Sequence, residues 1–379
     1  MIELPAGGRF VGRVWRAGLG PALVEVRDGM LVDVTTRRAP TMRDLLEIDD
    51  IAGHLDATGG ETLGTLEAIA AAGDSAGPDV TRLLAPVDLQ AVKACGVTFA
   101  RSMIERVIEE RAAGDPARAE AIRGRIAGVI GESLADLVPG SEKATEVKRL
   151  LIEEGLWSQY LEVGIGPDAE VFSKAPPMAA VGHGAAVGIH PVSRWNNPEP
   201  EIVLAVDSQA RIRAATLGND VNLRDVEGRS ALLLGKAKDN NASAALGPFL
   251  RLFDAGFTLD EVRRAELTLT IDGPEGYHLE GRSSMTEISR DPADLVAQTI
   301  GAHHQYPDGF VLYLGTMFAP TEDRDRPGEG FTHRAGDVVT IRTPALGALV
   351  NTVRLATDCP PWQFGTAALM RNLAGRDLL

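Results

Sequence analysis

The chain has 379 residues, 44% hydrophobic and 24% charged, with a formal net charge of −15 at pH 7. That length supports a large core and more than one domain, and the acidic balance argues against nucleic acid or an anionic membrane as a partner. The two cysteines, Cys95 and Cys359, lie in no C-x-x-C or Cys/His cluster, which speaks against zinc and fits a reduced, cytoplasmic setting.

The N-terminal MIELPAGGRFVGRVW has no basic region followed by an apolar run, so no signal peptide is expected. No apolar stretch approaches the ~20 residues that span a bilayer. Residues 9–36 alternate apolar and polar in RFVGRVW, PALVEVRDG and MLVDVTT, which predicts short strands joined at Gly and Asp-Gly turns. Residues 41–72 read as helical in part, and 83–99 as strand punctuated by proline. Apolar spacing near three and four with charged faces predicts helices over 103–113, 116–137 and 142–154. From about 160 onward short apolar strands alternate with turn signals such as Gly218-Asn219-Asp220 and Asp272-Gly273-Pro274. The expected fold class is α+β. A small N-terminal α/β domain occupies 1–85, and a β-rich domain occupies 86–379 with a helical segment near 100–155.

In WNNPEPEIVLAV, Glu199 and Glu201 stand two apart. Successive strand side chains point to opposite faces, so these two share one. Carboxylates that close repel, and one takes up a proton unless a cation lies between them. A third carboxylate, Asp220, sits in LGNDVNLRD where the strand RIRAATLG ends. Three oxygen donors from two strands suit one face of an octahedral Mg²⁺, with Mn²⁺ as the alternative, and a set without His or Cys favours a hard cation over zinc. The same spacing also fits exposed strand-end carboxylates. Residues 228–250 carry Lys236 and Lys238 in a small, polar setting. A lysine beside a metal has a lowered pKa and moves protons, whereas a solvated loop lysine does neither. Glu170, Phe172 and Lys174 alternate as on a strand edge, and Ser102-x-x-Glu105 in GVTFARSMIER matches a capping box.

With these motifs in this order, the chain resembles the fumarylacetoacetate hydrolase family over roughly residues 85–355. The motifs are the E-x-E strand of Glu199 and Glu201, GNDVNLRD with Asp220 and Arg224, Lys238 ahead of Leu246-Gly247-Pro248, and GTMFAP with Thr316. The resemblance implies a mixed β-roll catalytic domain, Mg²⁺ (or Mn²⁺) bound by Glu199, Glu201 and Asp220, a small-molecule 2-oxo acid substrate, and a homodimer or homotetramer. Hydrolases of the family carry a His-x-x-Glu dyad. Here Ser102 stands at the His position while Glu105 is kept, and a serine without a partner base is a poor activator of water.

The stretches WSQYLEVGIGPDAEVFSK, WNNPEPE, GNDVNLRDVEGRSALLL and KAKDNNAS are similar to the family's 2-keto-3-deoxy-sugar-acid dehydratase branch. That implies dehydration of 2-keto-3-deoxy-D-xylonate to 2-oxoglutarate semialdehyde in oxidative pentose degradation. Lys238 would be the base at C3 and Glu170 would handle the leaving hydroxyl or the second proton, with the two roles exchangeable. Lys174 and Arg224 would neutralise the substrate carboxylate or hold the turn, Thr316 would bond that carboxylate, and Glu105 and Ser102 would close over the polyol end. One alternative is a C–C hydrolase of a 2,4-diketo acid, which needs His183, His190, His303 or His304 at the metal. The other is a non-catalytic binding protein that keeps the metal as a structural clip.

Overall fold

A computed structural model describes residues 2, 4–73, 77, 79–99, 121, 124, 137–153, 155, 157–318, 322–324 and 330–379. Ser102, Glu105, the expected helix over 103–113 and nearly all of that over 116–137 lie outside these residues.

Strands β1 (Phe10–Arg16), β2 (Gly20–Arg27) and β3 (Met30–Asp33) form an antiparallel meander over the expected segment. Arg27 faces Met30 across Asp28 and Gly29, whose φ angles of 49° and 74° give the left-handed backbone that a two-residue hairpin between right-twisted strands requires. Helices Met42–Glu47, Ile51–Ala57 and Leu66–Ala71 begin at the side-chain caps Thr41, Asp50 and Thr65, each satisfying an orphan N–H of the first turn. Strands β4 (Thr62–Thr65), β5 (Arg82–Leu84) and β6 (Ala91–Gly96) follow. The helix Glu142–Glu153 falls where the apolar spacing places it.

The remaining strands are β7 (Glu170–Ala175), β8 (Ala186–Ile189), β9 (Pro200–Val206), β10 (Ile212–Asp220), β11 (Ala244–Leu252), β12 (Glu266–Asp272), β13 (His278–Ser284), β14 (Phe310–Tyr313), β15 (Val338–Thr343) and β16 (Gly347–Leu355). They build two mixed sheets. The 11-stranded sheet runs β4-β3-β2-β1-β11-β10-β9-β14-β6-β7 with β5 beside β1, and the 5-stranded sheet runs β13-β12-β15-β16-β8. Parallel pairs are β14 with β6 and β16 with β8. This is the α+β, mixed-sheet architecture expected. Because Phe10 and Val11 of β1 pair with Arg251 and Leu250 of β11, the strands of residues 1–85 extend the sheet that carries the acidic motifs.

Strand β9 lies inside the large sheet between β10 and β14 and is buried along its whole length. Ile202, Leu204 and Val206 pack into one apolar cluster, and Val203 and Ala205 into another on the opposite face. A strand covered on both sides reads as a continuous apolar run, which is why Glu201, only 2% exposed, departs so sharply from its surroundings. Among the described residues, no helix is long and apolar enough to cross a membrane.

Candidate metal centre

The antiparallel register of β9 and β10 sets Gly218 opposite Glu201, and the Asp220 N–H donates to Glu199 O at 3.0 Å. Glu201 and Asp220 thereby leave the same face of the sheet, and Glu199 joins them from just before β9. Glu199, Glu201 and Asp220 each offer a carboxylate oxygen within 4.8 Å of the other two. Glu201 and Asp220 are buried, so the solvated-edge reading does not hold for them.

Each carboxylate is held by a fixed partner. Glu201 Oε2 accepts the Gly315 N–H at 2.6 Å, and Glu199 Oε1 accepts from Asn222 Nδ2 at 2.9 Å. Gly315 has φ 91°, and a side-chain carbon there would overlap the Thr98 hydroxyl, so glycine alone lets this N–H reach the carboxylate. The Thr98 hydroxyl donates to Leu314 O at 2.7 Å, which fixes the turn from behind.

The two lysines of 228–250 separate cleanly. Lys236 is exposed and Lys238 is buried, at the end of the short helix Leu234–Lys238. Lys238 Nζ donates to Glu199 Oε2 at 2.6 Å and to Asp220 Oδ2 at 3.1 Å, and lies 5.6 Å from the Phe172 ring centre. One face of β7 carries Glu170, Phe172 and Lys174, as their alternation requires. Lys174 is fully buried and pairs with Asp220 Oδ1 at 2.7 Å, and it also donates to Val221 O at 3.1 Å and Lys238 O at 2.6 Å. Two of its three donors go to backbone carbonyls, and the ammonium stands in ion-pair contact with Asp220. It orients Asp220 and the end of the Lys238 helix.

The charge balance explains the titration of the site. Burial, then the charges of Asp220 and Glu199, push Glu201 well above the usual carboxylate range. Burial likewise raises Glu199 to about 7, with Lys238 opposing and Asp220 and Glu227 adding to the rise. Burial opposes charge on Lys238, yet Asp220, Glu199 and Glu227 outweigh it and hold the ammonium protonated well above an ordinary lysine. Glu170 is raised by burial and by Glu227. It lies opposite Gly96 on β6, where a side-chain carbon would overlap its carboxylate. Full ionisation of the three carboxylates would outweigh Lys238 and Lys174 by one charge, which is the imbalance that their raised values resist. Oxygen-only donors at this spacing fit a hard divalent cation that restores the balance.

Residues 159–354, more than half of the chain, match the protein-family model described as "Fumarylacetoacetate (FAA) hydrolase C-terminal". The chain belongs to the fumarylacetoacetate hydrolase family. It is 30% identical over 188 residues to the "2-dehydro-3-deoxy-D-arabinonate dehydratase" of Saccharolobus solfataricus, covering 49% of this chain and 58% of that protein. It is 28% identical over 201 residues to the "Probable 2-keto-3-deoxyxylonate dehydratase" of Haloferax volcanii, covering 53% of this chain and 65% of that one. The chain thus aligns with less than two thirds of either relative's length. A solved structure described as "2-keto-3-deoxy-D-arabinonate dehydratase complexed with magnesium and 2,5-dioxopentanoate" superposes with a TM-score of 0.63 at 21% identity, covering 91% of this chain and 99% of that one. At that identity the likeness shows the fold.

Two other motif residues make contacts of their own. The Arg224 guanidinium stacks over the Trp195 ring at 4.5 Å. The Thr316 hydroxyl, next to Gly315, accepts the Phe318 N–H at 3.1 Å. Among the described residues, none of the four histidines, one of which a hydrolase would need at the metal, joins the carboxylate cluster, and each has other neighbours. His183 Nδ1 lies 3.0 Å from Ala348 O, His190 Nδ1 accepts from Val192 N, His303 Nε2 lies 3.3 Å from Gln298 O, and His304 stacks edge-on to Tyr306. Sequence reasoning missed the Gly315 N–H, Asn222 and Glu227. Glycine at 315 and the position of Asn222 two residues after Asp220 were usable signals, whereas nothing local to Glu227 ties it to the site.

Proposed function

We propose that this family member is a metal-dependent hydro-lyase that removes water from a 2-keto-3-deoxy sugar acid, 2-keto-3-deoxy-D-xylonate, to give 2-oxoglutarate semialdehyde. The observation that carries this reading is Lys238 bonded at once to Glu199 and Asp220, in a buried cluster of oxygen donors with no histidine. The dehydratase names of the two curated relatives support it. A divalent cation, Mg²⁺ or Mn²⁺, held by Glu199, Glu201 and Asp220 would supply positive charge where negative charge develops on the 2-oxo oxygen.

The chain's own groups do the rest. Asp220 and Glu199 hold Lys238 protonated; with a cation bound at these carboxylates that hold would weaken, and the Lys238 amine is the candidate base for the C3 proton. Glu170, whose carboxyl burial raises above the ordinary range, is assigned to the departing C4 hydroxyl. Lys174 fixes Asp220 and Lys238 relative to each other. Arg224 and Thr316 are assigned to the substrate carboxylate. Two free, buried cysteines support a cytoplasmic setting, and a homodimer or homotetramer is part of the same reading.

The test is to strip the protein with EDTA, restore Mg²⁺, supply 2-keto-3-deoxy-D-xylonate, and follow product mass and aldehyde. Metal-dependent loss of one water with a new aldehyde is the expected result. Cleavage of a 2,4-diketo acid into two acids would move the protein to the hydrolases. Folding that depends on metal, with no turnover of either substrate, would make the ion a structural clip.

A further inference from the structure

One row of four residues crosses the end of the large sheet. Tyr313 of β14 pairs with Val203 of β9 and with Ala94 of β6. Two residues further on, the same registers set Gly315 beside Glu201 on one side and beside Gly96 on the other, and Gly96 pairs with Glu170 of β7. The row therefore reads Glu201, Gly315, Gly96, Glu170, with a carboxylate at each end and no side chain between them. Both carboxylates lean inward. Glu201 Oε2 accepts the Gly315 N–H at 2.6 Å, and a side-chain carbon on Gly96 would overlap Glu170 Oε2 and stand 2.8 Å from Glu170 Cδ. The sheet also curls toward this face. β7 lies four strands from β10, yet Lys174 of β7 reaches Asp220 of β10 at 2.7 Å. Lys238 Nζ touches both sides of that curl, at Glu199 and Asp220 and 5.6 Å from the Phe172 ring centre.

The two glycines serve different needs. Gly315 has a left-handed backbone, whereas Gly96 does not, so the backbone at 96 suits other residues as well. What a side chain at 96 would meet is Glu170 alone, since the three nearest atoms are its Oε2, Cδ and Cγ. Glycine at 96 therefore gives its space to that carboxylate, which lies down against β6 instead of standing up into the curl. The dehydratase reading, on which this inference rests, needs an acid of five carbons held between the metal position and Glu170. The two carboxylates rest against neighbouring strands, about 4.8 Å apart. Four C–C bonds of about 1.5 Å in zigzag reach about 5 Å, the same scale. We infer that Gly96 is a positioning residue: it seats Glu170 low on β6 and so keeps open the place for C4 and C5 of an acid whose 2-oxo end lies toward Glu201.

The test uses the full chain with Mg²⁺. Calorimetry follows the binding of pyruvate, which stops at C3, and of 2-oxopentanoate, which has all five carbons and no hydroxyl to lose. G96A lifts the Glu170 carboxylate into the place of C4 and C5. Binding of 2-oxopentanoate should therefore weaken by about 10-fold, as overpacking of a close contact does, while pyruvate and Mg²⁺ bind as in wild type. Turnover of 2-keto-3-deoxy-D-xylonate should fall by about 100-fold, the effect of a group displaced by about 1 Å. E170D alone should slow the enzyme, yet G96A/E170D should be faster than G96A, because the shorter side chain clears the added carbon. A merely structural glycine gives no such rescue. If G96A alone does not fold, G96A/E170D should fold and turn over at a rate close to that of E170D. Unchanged affinity of G96A for 2-oxopentanoate, equal weakening of both acids, or no rescue by E170D overturns the assignment, as does a wild type that binds neither acid. A wild type that releases no water from the sugar acid, while the two acids still separate wild type from G96A, overturns the dehydratase reading and leaves the seat of Glu170 standing.

Discussion

Lys174 Nζ lies 2.7 Å from Asp220 Oδ1, with both side chains removed from solvent. Removing one partner of a buried ion pair leaves the other uncompensated and costs about 3–5 kcal/mol. K174M should lose stability of that order in urea unfolding. Because the deficit is an unbalanced carboxylate at the metal position, Mg²⁺ should raise the midpoint of K174M more than that of wild type. Arginine should not rescue the site, since a larger planar guanidinium does not fit the fully buried space that holds a compact ammonium. Equal Mg²⁺ shifts in wild type and K174M would remove the link between Lys174 and the metal position.

The Gly315 N–H on Glu201 gives a second prediction. G315A places a carbon against Thr98 at a left-handed backbone position, so the turn must shift and the 2.6 Å bond to Glu201 lengthens. Groups that orient metal ligands are worth about 10–100-fold in affinity. Calorimetric titration should show Mg²⁺ binding weakened by that much while Lys238 and Glu170 are untouched. Unchanged affinity would mean that Glu201 is held by the sheet alone.

Legibility from sequence followed the range of each interaction. The period of two placed Glu199 with Glu201, and Glu170 with Phe172 and Lys174, because a strand's faces are fixed by its own backbone. The Asp28-Gly29 hairpin was equally local. The partners of Lys174 were hidden, since two are backbone carbonyls, Val221 O and Lys238 O, that residue type does not encode. The pairing of β1 with β11 joins segments from opposite ends of the chain, and no periodicity in either reports it. Glu227 was invisible for a related reason. Its helix is one turn long, too short to show a face, and its relation to Lys238 arises only when two short helices pack together.

Lys238 separates activity from metal binding. Its ammonium occupies Glu199 Oε2 and Asp220 Oδ2, so it competes with any cation for those oxygens. K238M should lose turnover by about 10²–10⁴-fold, the usual contribution of a general base, while Mg²⁺ binds as tightly as in wild type or tighter. Parallel loss of turnover and metal affinity would instead make Lys238 a support for the carboxylates.

His183 predicts an acid limit away from the site. Burial pushes its imidazole down to about 4 from the ordinary 6.5, with Ala348 O opposing. The folded state therefore resists a proton that the unfolded chain takes up. The stability this residue contributes is complete above about pH 6.5 and is lost as the pH falls toward 4. One pKa unit corresponds to about 1.4 kcal/mol. For a group still partly in contact with water, a discounted loss of about 2 kcal/mol across that window is expected. H183Q cannot take up the proton, so its urea midpoint should fall less between pH 7 and 4.5 than that of wild type. Identical acid slopes for the two proteins would show that other groups set the limit, and that His183 gains its proton in the folded state as easily as in the unfolded chain.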